Sequence, residues 1–289
     1  MENSKEGCGC SSQQDEQQRQ DVEIEKSLGF IKNKILVMSG KGGVGKSSMA
    51  AFLSVSLAKK GYKVGLMDVD LHGPSIPRML GLKGGPEPGQ GEKVRPIEYL
   101  PNMAVISIES LMGENKDTAT IWRGPLKIGV IRQFISDIEW SYLDFMVIDS
   151  PPGTGDEPLT VAQTIPDAKA LIITTPQEIS LSDVRKSINF CRQVNMEILG
   201  LVENMSGLKC PHCGENIELF KAHGGMMTAK KENLRLLASL PFEPEVVQNG
   251  DEGSISVLEN DRGPFAMEFS RMVDEIIKIH ESSESGSSH

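Results

Sequence analysis

The stretch "VMSGKGGVGKSS", Val37 to Ser48, constrains this chain more than any other. Before it runs "ILVM", an apolar segment of strand length. After it runs "SSMAAFLSVSLAKKG", where Met49, Phe52, Leu53 and Leu57 recur at helical spacing and Gly61 provides a C-terminal stop. Strand, glycine loop and helix follow each other directly, which places the loop at the carboxyl end of a buried strand.

Two patterns overlap in the loop. Gly40, Gly42 and Gly45 satisfy G-x-G-x-x-G, while Gly40, Gly45, Lys46 and Ser47 satisfy G-x-x-x-x-G-K-[ST]. A dinucleotide site expects an acidic residue about 20 positions on for the ribose, and Asp68 falls slightly late for it. That reading leaves Lys46 and Ser47 without a purpose. A phosphate loop needs both: an ammonium near the terminal phosphates and a hydroxyl for Mg²⁺. The predicted nucleotide contacts are therefore Gly42, Gly43, Val44, Gly45, Lys46, Ser47 and Ser48, and the predicted ligand is a nucleoside triphosphate with Mg²⁺. Asp149, which ends the apolar run "FMVIDS", supplies the second carboxylate such a site requires, and "PPGTGDE" after it is a loop able to move.

The rest of the chain alternates in the same manner. Short apolar runs at 63–70, 103–108, 145–150, 169–175 and 197–204 are predicted strands; 125–138, 157–165, 178–194, 227–238 and 264–281 are predicted helices. The expected fold is α/β, a single domain over 30–281 with a mostly parallel sheet covered by helices on both faces. The run 81–96 is turn-rich and reads as an excursion from the sheet. Residues 1–29 hold few apolar side chains and read as a flexible, cysteine-containing tail, and 282–289 as a disordered end.

A formal net charge of -10 works against a nucleic-acid surface, and no apolar run reaches the roughly 20 residues that span a bilayer. Neither nucleic acid nor membrane is expected as a partner, and the cytoplasm is the expected location. The five cysteines do not form a secreted disulfide framework. Cys210 and Cys213, in "CPHCG", have the two-residue spacing that turns both thiolates toward one metal ion. Two further ligands are needed. They could come from His212 or His223 around zinc, from Cys8 and Cys10 of the tail, or from a second copy of the chain. Cys191, within "SINFCRQV", reads as a small buried side chain.

With these motifs on the page, "GKGGVGKS" resembles the deviant phosphate loop of the ATPases that include nitrogenase iron protein, the arsenite-pump ATPase and the division-site and plasmid-partition ATPases MinD and ParA. Within that group the chain is most similar to the Mrp/ApbC/Nbp-type iron-sulfur cluster carrier ATPases. The likeness runs through "DVDLHGPSIPRMLG", "WRGP", "DSPPGTGDE", "VENMS" and "CPHCG", in the family's order over roughly residues 30 to 280. The resemblance implies that Lys41 reaches across a homodimer to the other subunit's phosphates, that Asp70 positions the attacking water, and that Asn204 reads the adenine edge, making the nucleotide ATP. Catalysis then rests on Lys41, Lys46 and Asp70, with Ser47 and Asp149 at Mg²⁺ and Asp68 an outer partner of the ion or a structural residue. It also implies a labile [4Fe-4S] cluster held at the dimer axis by Cys210 and Cys213 of each subunit. That cluster would come from scaffold proteins and pass to apo iron-sulfur proteins. The tail departs from one version of the family, in which four cysteines hold a second cluster; only Cys8 and Cys10 stand here.

Two other classes compete. A positioning or regulatory ATPase with a structural zinc would bind membrane or DNA, yet "FAMEFSRMVDEIIKIHE" carries more acidic than basic residues. An ATP-dependent iron-sulfur reductase would place its cysteines on two separate loops, whereas here they form one close pair.

Overall fold

The computed structural model describes residues 10–71, 73–112, 124–209, 213, 215–217, 224–255 and 263–285. In chain order these contain α1 (Cys10–Gly29), β1 (Ile31–Ser39), α2 (Lys46–Lys59), β2 (Val64–Asp68), α3 (Ile76–Met79), β3 (Glu87–Pro88), β4 (Val94–Arg95), β5 (Ile97–Leu100) and β6 (Met103–Ser107). There follow α4 (Ile108–Met112), α5 (Gly124–Ser136), β7 (Leu143–Asp149), α6 (Asp156–Thr164), β8 (Lys169–Thr174), α7 (Glu178–Gln193) and β9 (Ile198–Glu203). The last are β10 (Leu208–Lys209), β11 (Asn216–Ile217), α8 (Gly224–Glu232), β12 (Leu236–Ser239), α9 (Pro244–Asp251) and α10 (Pro264–Ser285).

Eight strands form one sheet in the order β12-β9-β8-β1-β7-β2-β6-β5, parallel except for the edge strand β5. Strand β1 alternates its side chains between two cores. Ile35 and Val37 enter a cluster with α2 and α10, while Leu36 and Met38 enter one with α5 and α7. Both faces are covered, so the strands can be apolar throughout. On the first face Phe52 of α2 meets Phe265 and Phe269 of α10 edge-on, with ring centroids 5.9 and 6.1 Å away. This anchors the phosphate-loop helix to the last helix of the chain.

Three differences from the sequence reading have physical causes. From Cys10 the expected flexible tail is the helix α1, whose Ile24 is buried in the second core and whose Leu28 packs against it. Polar anchors complete its seat: Arg132 of α5 donates to Gln20 at 3.0 Å and to Asp21, and Lys93 pairs with Glu23 at 3.0 Å. Second, the helix expected over 227–238 is two elements. Asn233 adopts φ 54°, which ends α8, and the chain then adds β12 to the sheet edge beside β9. Third, α10 continues to Ser285, into the end expected to be disordered.

Candidate functional site

Strands β7 and β2 end level with one another and beside Val37, near the end of β1, because Val37 pairs with Asp149 and Asp149 with Asp68 in register. Everything predicted for phosphate chemistry is gathered at this carboxyl edge. The loop's glycines are required by contact as well as by conformation. A Cβ on Gly40 would lie 2.3 Å from the backbone carbonyl carbon of Asp183, and Gly45 has φ 84°. Helix α2 begins at Lys46 without a side-chain cap, so its first N–H groups and dipole face the loop interior.

Lys46 is buried, and its Nζ donates to Asp149 Oδ1 at 2.5 Å and to Ser47 Oγ at 3.2 Å, with Asp70 Oδ2 at 3.9 Å. Asp68 and Asp149 are both fully buried. Asp68 accepts from the Asp70 backbone N–H at 3.1 Å and from Ser107 Oγ at 3.0 Å. Burial, followed by the charge of Asp149, pushes the Asp68 carboxyl well above the usual carboxylate range. Burial also raises Asp149, against the opposing pull of Lys46 and Ser47. Asp149 Oδ2 is buried with no hydrogen-bond partner among the described residues.

A buried carboxylate oxygen without a partner, next to a second buried carboxylate, favours a cation at this edge. Ser47 and Asp149 are the hard oxygen donors that Mg²⁺ takes, and the loop's N–H groups suit the phosphates that accompany it. The residues therefore fit Mg²⁺ with a nucleotide.

Asp70 sits at the mouth, where its Oδ1 accepts from the Gly73 N–H at 3.3 Å. Lys41 is half-buried and donates to Gln177 Oε1 at 2.9 Å, just ahead of α7 in its own chain. Asn204, buried at the end of β9, donates through Nδ2 to the Val44 carbonyl at 2.9 Å. That bond pins the phosphate loop to the end of β9, with β8 between β9 and β1 in the sheet.

Beside Asn204 opens a cavity of about 350 Å³, lined by Gly45, Met49, Met205, Phe242 and Val246 with Arg78 at one side. Its apolar walls and its continuity with the loop suit a nucleobase. Sequence reasoning found Asn204 here and missed the 241–247 wall. The available signal was "PFEPE", a proline-punctuated turn directly after a short apolar run.

The thiols are placed less completely. β10 and β11 form a separate antiparallel hairpin, and Cys213 at its turn is exposed. Cys8, Cys210, His212 and His223 lie outside the described residues, and for Cys10 only the backbone is described. Among the described residues no group of three or more His, Cys, Asp or Glu side chains is gathered for a metal ion. Cys191 is the core side chain expected: its Sγ lies 3.7 Å from Met38 Sδ, and burial pushes its thiol up to about 12.

Known proteins resemble this chain in sequence and in fold. Residues 30–277 match the family described as "ParA: NUBPL iron-transfer P-loop NTPase". A "Cytosolic Fe-S cluster assembly factor NUBP2 homolog" of Dictyostelium discoideum is 47% identical over 222 residues, covering 75% of this chain and 83% of that protein. An "Iron-sulfur cluster carrier protein" of Methanocaldococcus jannaschii is 41% identical over 261 residues, covering 90% of this chain and 89% of that one. Among solved structures, a nucleotide-binding protein from Archaeoglobus fulgidus in complex with ADP superposes with a TM-score of 0.73 at 37% identity, covering 85% of this chain and 95% of that one. The cell division ATPase MinD of Pyrococcus furiosus, at 23% identity and a TM-score of 0.60, shares the fold over 86% of this chain and 99% of its own. The chain belongs to the NUBPL-type iron-transfer P-loop NTPases.

Proposed function

We propose that this protein is an ATP-hydrolysing iron-sulfur cluster carrier. It works as a homodimer, binds a labile [4Fe-4S] cluster as cargo on Cys210 and Cys213 of both subunits, and delivers it to apo-proteins in the cytoplasm. The observation that carries the reading is the buried Lys46–Asp149 pair, with Ser47 bonded to Lys46, in a chain whose hairpin holds Cys213 out to solvent. The relatives named as cluster carriers and cytosolic assembly factors support the cargo and the compartment. Among the described residues no helix is long and apolar enough to cross a membrane.

Each group has a stated task in hydrolysis. The N–H groups of Gly42 to Ser47 hold the phosphates, and Asn204 with the adjoining cavity holds adenine. Lys46 exchanges its carboxylate partner for phosphate oxygens and neutralises charge there as the γ-phosphoryl leaves for water. Asp70 orients that water. Lys41 leaves Gln177 and contributes its charge to the partner subunit's phosphates, so turnover needs a dimer. Ser47 and Asp149 hold Mg²⁺, which when bound offsets charge on the phosphates. The domain responsible covers 30–281, with the hairpin region near 207–225 as its cargo-binding insert.

The test is the content of metal and acid-labile sulfide after anaerobic reconstitution, for the parent and for Cys210→Ala/Cys213→Ala. About two iron and two sulfide per subunit, lost in the variant, are expected for a shared four-iron cluster. Zinc without sulfide would sink the carrier reading.

A further inference from the structure

We infer that Glu203 couples the nucleoside cavity to the cysteine hairpin, acting as a positioning residue that closes the base of the hairpin segment and transmits nucleotide occupancy to it. The inference rests on the proposed function for what occupies the two ends, and on the structure for the link between them.

Glu203 is the last residue of β9, buried at 1% exposure, and has no part in the phosphate chemistry. Its two carboxylate oxygens serve different segments. Oε1 accepts from Ser206 Oγ at 2.7 Å, and Oε2 accepts from the Gly225 N–H in the first turn of α8. Ser206 precedes the hairpin and Gly225 follows it. One carboxylate thus ties together both ends of the segment that contains Cys213. The fit at Gly225 is close, since a Cβ there would lie 2.7 Å from Glu203 Oε2 and 2.9 Å from Glu203 Cβ.

The next residue faces the nucleotide. Asn204 holds the Val44 carbonyl, and Met205, in the left-handed region at φ 58°, lines the cavity beside it. A bulky residue in that conformation persists only where its surroundings enforce it. The far wall of the cavity is stitched to the hairpin root as well. Ser206 N–H donates to the Leu240 carbonyl at 2.7 Å, Phe242 N–H donates to the Gly207 carbonyl at 2.8 Å, and Leu208 bridges Phe242. Cavity wall and hairpin root are therefore one piece of backbone. A base that moves Asn204 or Phe242 moves the ground on which the hairpin stands, and Glu203 is the only side chain among those described here that grips both hairpin ends. By linkage, a metal cluster on the hairpin must alter nucleotide affinity by the same factor by which nucleotide alters the hairpin's affinity for the cluster.

The test measures alkylation of Cys213 by N-ethylmaleimide, resolved by peptide mass spectrometry. It uses the full-length apo-protein with and without Mg²⁺ and a non-hydrolysable ATP analogue, with binding of the analogue measured on the same samples. In the parent, saturating analogue should change the Cys213 rate by about fivefold or more, a coupling of ordinary size for linked sites. Glu203→Gln and Ser206→Ala should lose that response while analogue affinity stays within about twofold, and Ser206→Thr, which keeps the hydroxyl, should retain it. Ser206→Ala carries the test should Glu203→Gln fail to fold. A parent that binds the analogue with no change at Cys213, or variants that respond as the parent does, overturns the coupling and leaves the ATPase reading standing. A parent that does not bind the analogue overturns both.

Discussion

The phosphate site and the cysteine hairpin occupy the same chain and are built in opposite ways. At the phosphate site, three adjacent strands pair in register, and Lys46, Asp68 and Asp149 are all buried and held by one another or by Ser47 and Ser107. Among the described residues the hairpin has two residues in each strand, is joined to the rest of the chain's strands only by the Leu208–Phe242 bridge, and holds Cys213 and Ile217 out to solvent. The first is organised before its ligand arrives, as electrostatic catalysis requires. The second depends for its geometry on what ties down its root. A carrier has use for both: a buried place for chemistry and an exposed place from which cargo can leave.

Removing Lys46 should separate the two regions most sharply. Lys46→Ala leaves Asp149 buried beside Asp68 without its cation, so unfolding stability should fall by about 3 kcal/mol in urea titrations. ATP turnover should fall by about 10²- to 10³-fold. Iron uptake at the cysteines should survive wherever the variant folds. The converse is Cys213→Ala, which should abolish iron retention yet shift stability by less than about 0.5 kcal/mol, because the side chain is exposed.

Lys41→Ala is the next in size. The Lys41 side chain bonds only to Gln177 among the contacts described, so stability should change by about 1 kcal/mol or less, while turnover per subunit falls by about 10²-fold. Nucleotide affinity measured on dilute protein should hold. An equal loss of affinity and turnover would place Lys41 at its own subunit's phosphates instead.

The smallest effect is a matter of pH. Asp68 has its carboxyl raised in the fold, so the folded state binds a proton more tightly than the unfolded chain. Its contribution is therefore most favourable where the carboxyl is protonated, and it declines as pH rises from the ordinary carboxylate range through the raised value. Asp68→Asn should flatten that slope, so the variant gains on the parent in urea unfolding as pH rises above the ordinary carboxylate range. A parent curve parallel to the variant's would mean that Asp68 is ionised at little cost and that the edge is less dry than it looks.

The two regions also differ in how far they could be read from residues alone. Lys46, Ser47 and Asp149 were legible because strand, loop and helix follow directly in sequence, and because a carboxylate ending an apolar strand can only reach the sheet's carboxyl edge. The cavity was not, since its walls come from 45–49, 204–205 and 241–247, which only the sheet order brings together. Helix α1 was missed because its apolar stripe is little more than Ile24 and Leu28, which suffices only because α5 offers a surface and Arg132 a polar anchor. Strand β12 was missed because "LLAS" is too short to show a period and follows a helix stopped by a left-handed asparagine. Glu203 reads in sequence as an ordinary strand-end acid. Its double grip needs residues 22 positions apart in the chain.

The most direct test of a buried chemical site driving an exposed cargo site is the rate at which reconstituted protein passes its cluster to an apo-ferredoxin acceptor, with and without Mg²⁺ and ATP. Transfer should respond to ATP in the parent and become indifferent to it in Lys46→Ala loaded with the same cluster. Equal rates in all four conditions would mean that the hairpin carries its cargo without reference to the nucleotide, and would contradict the account.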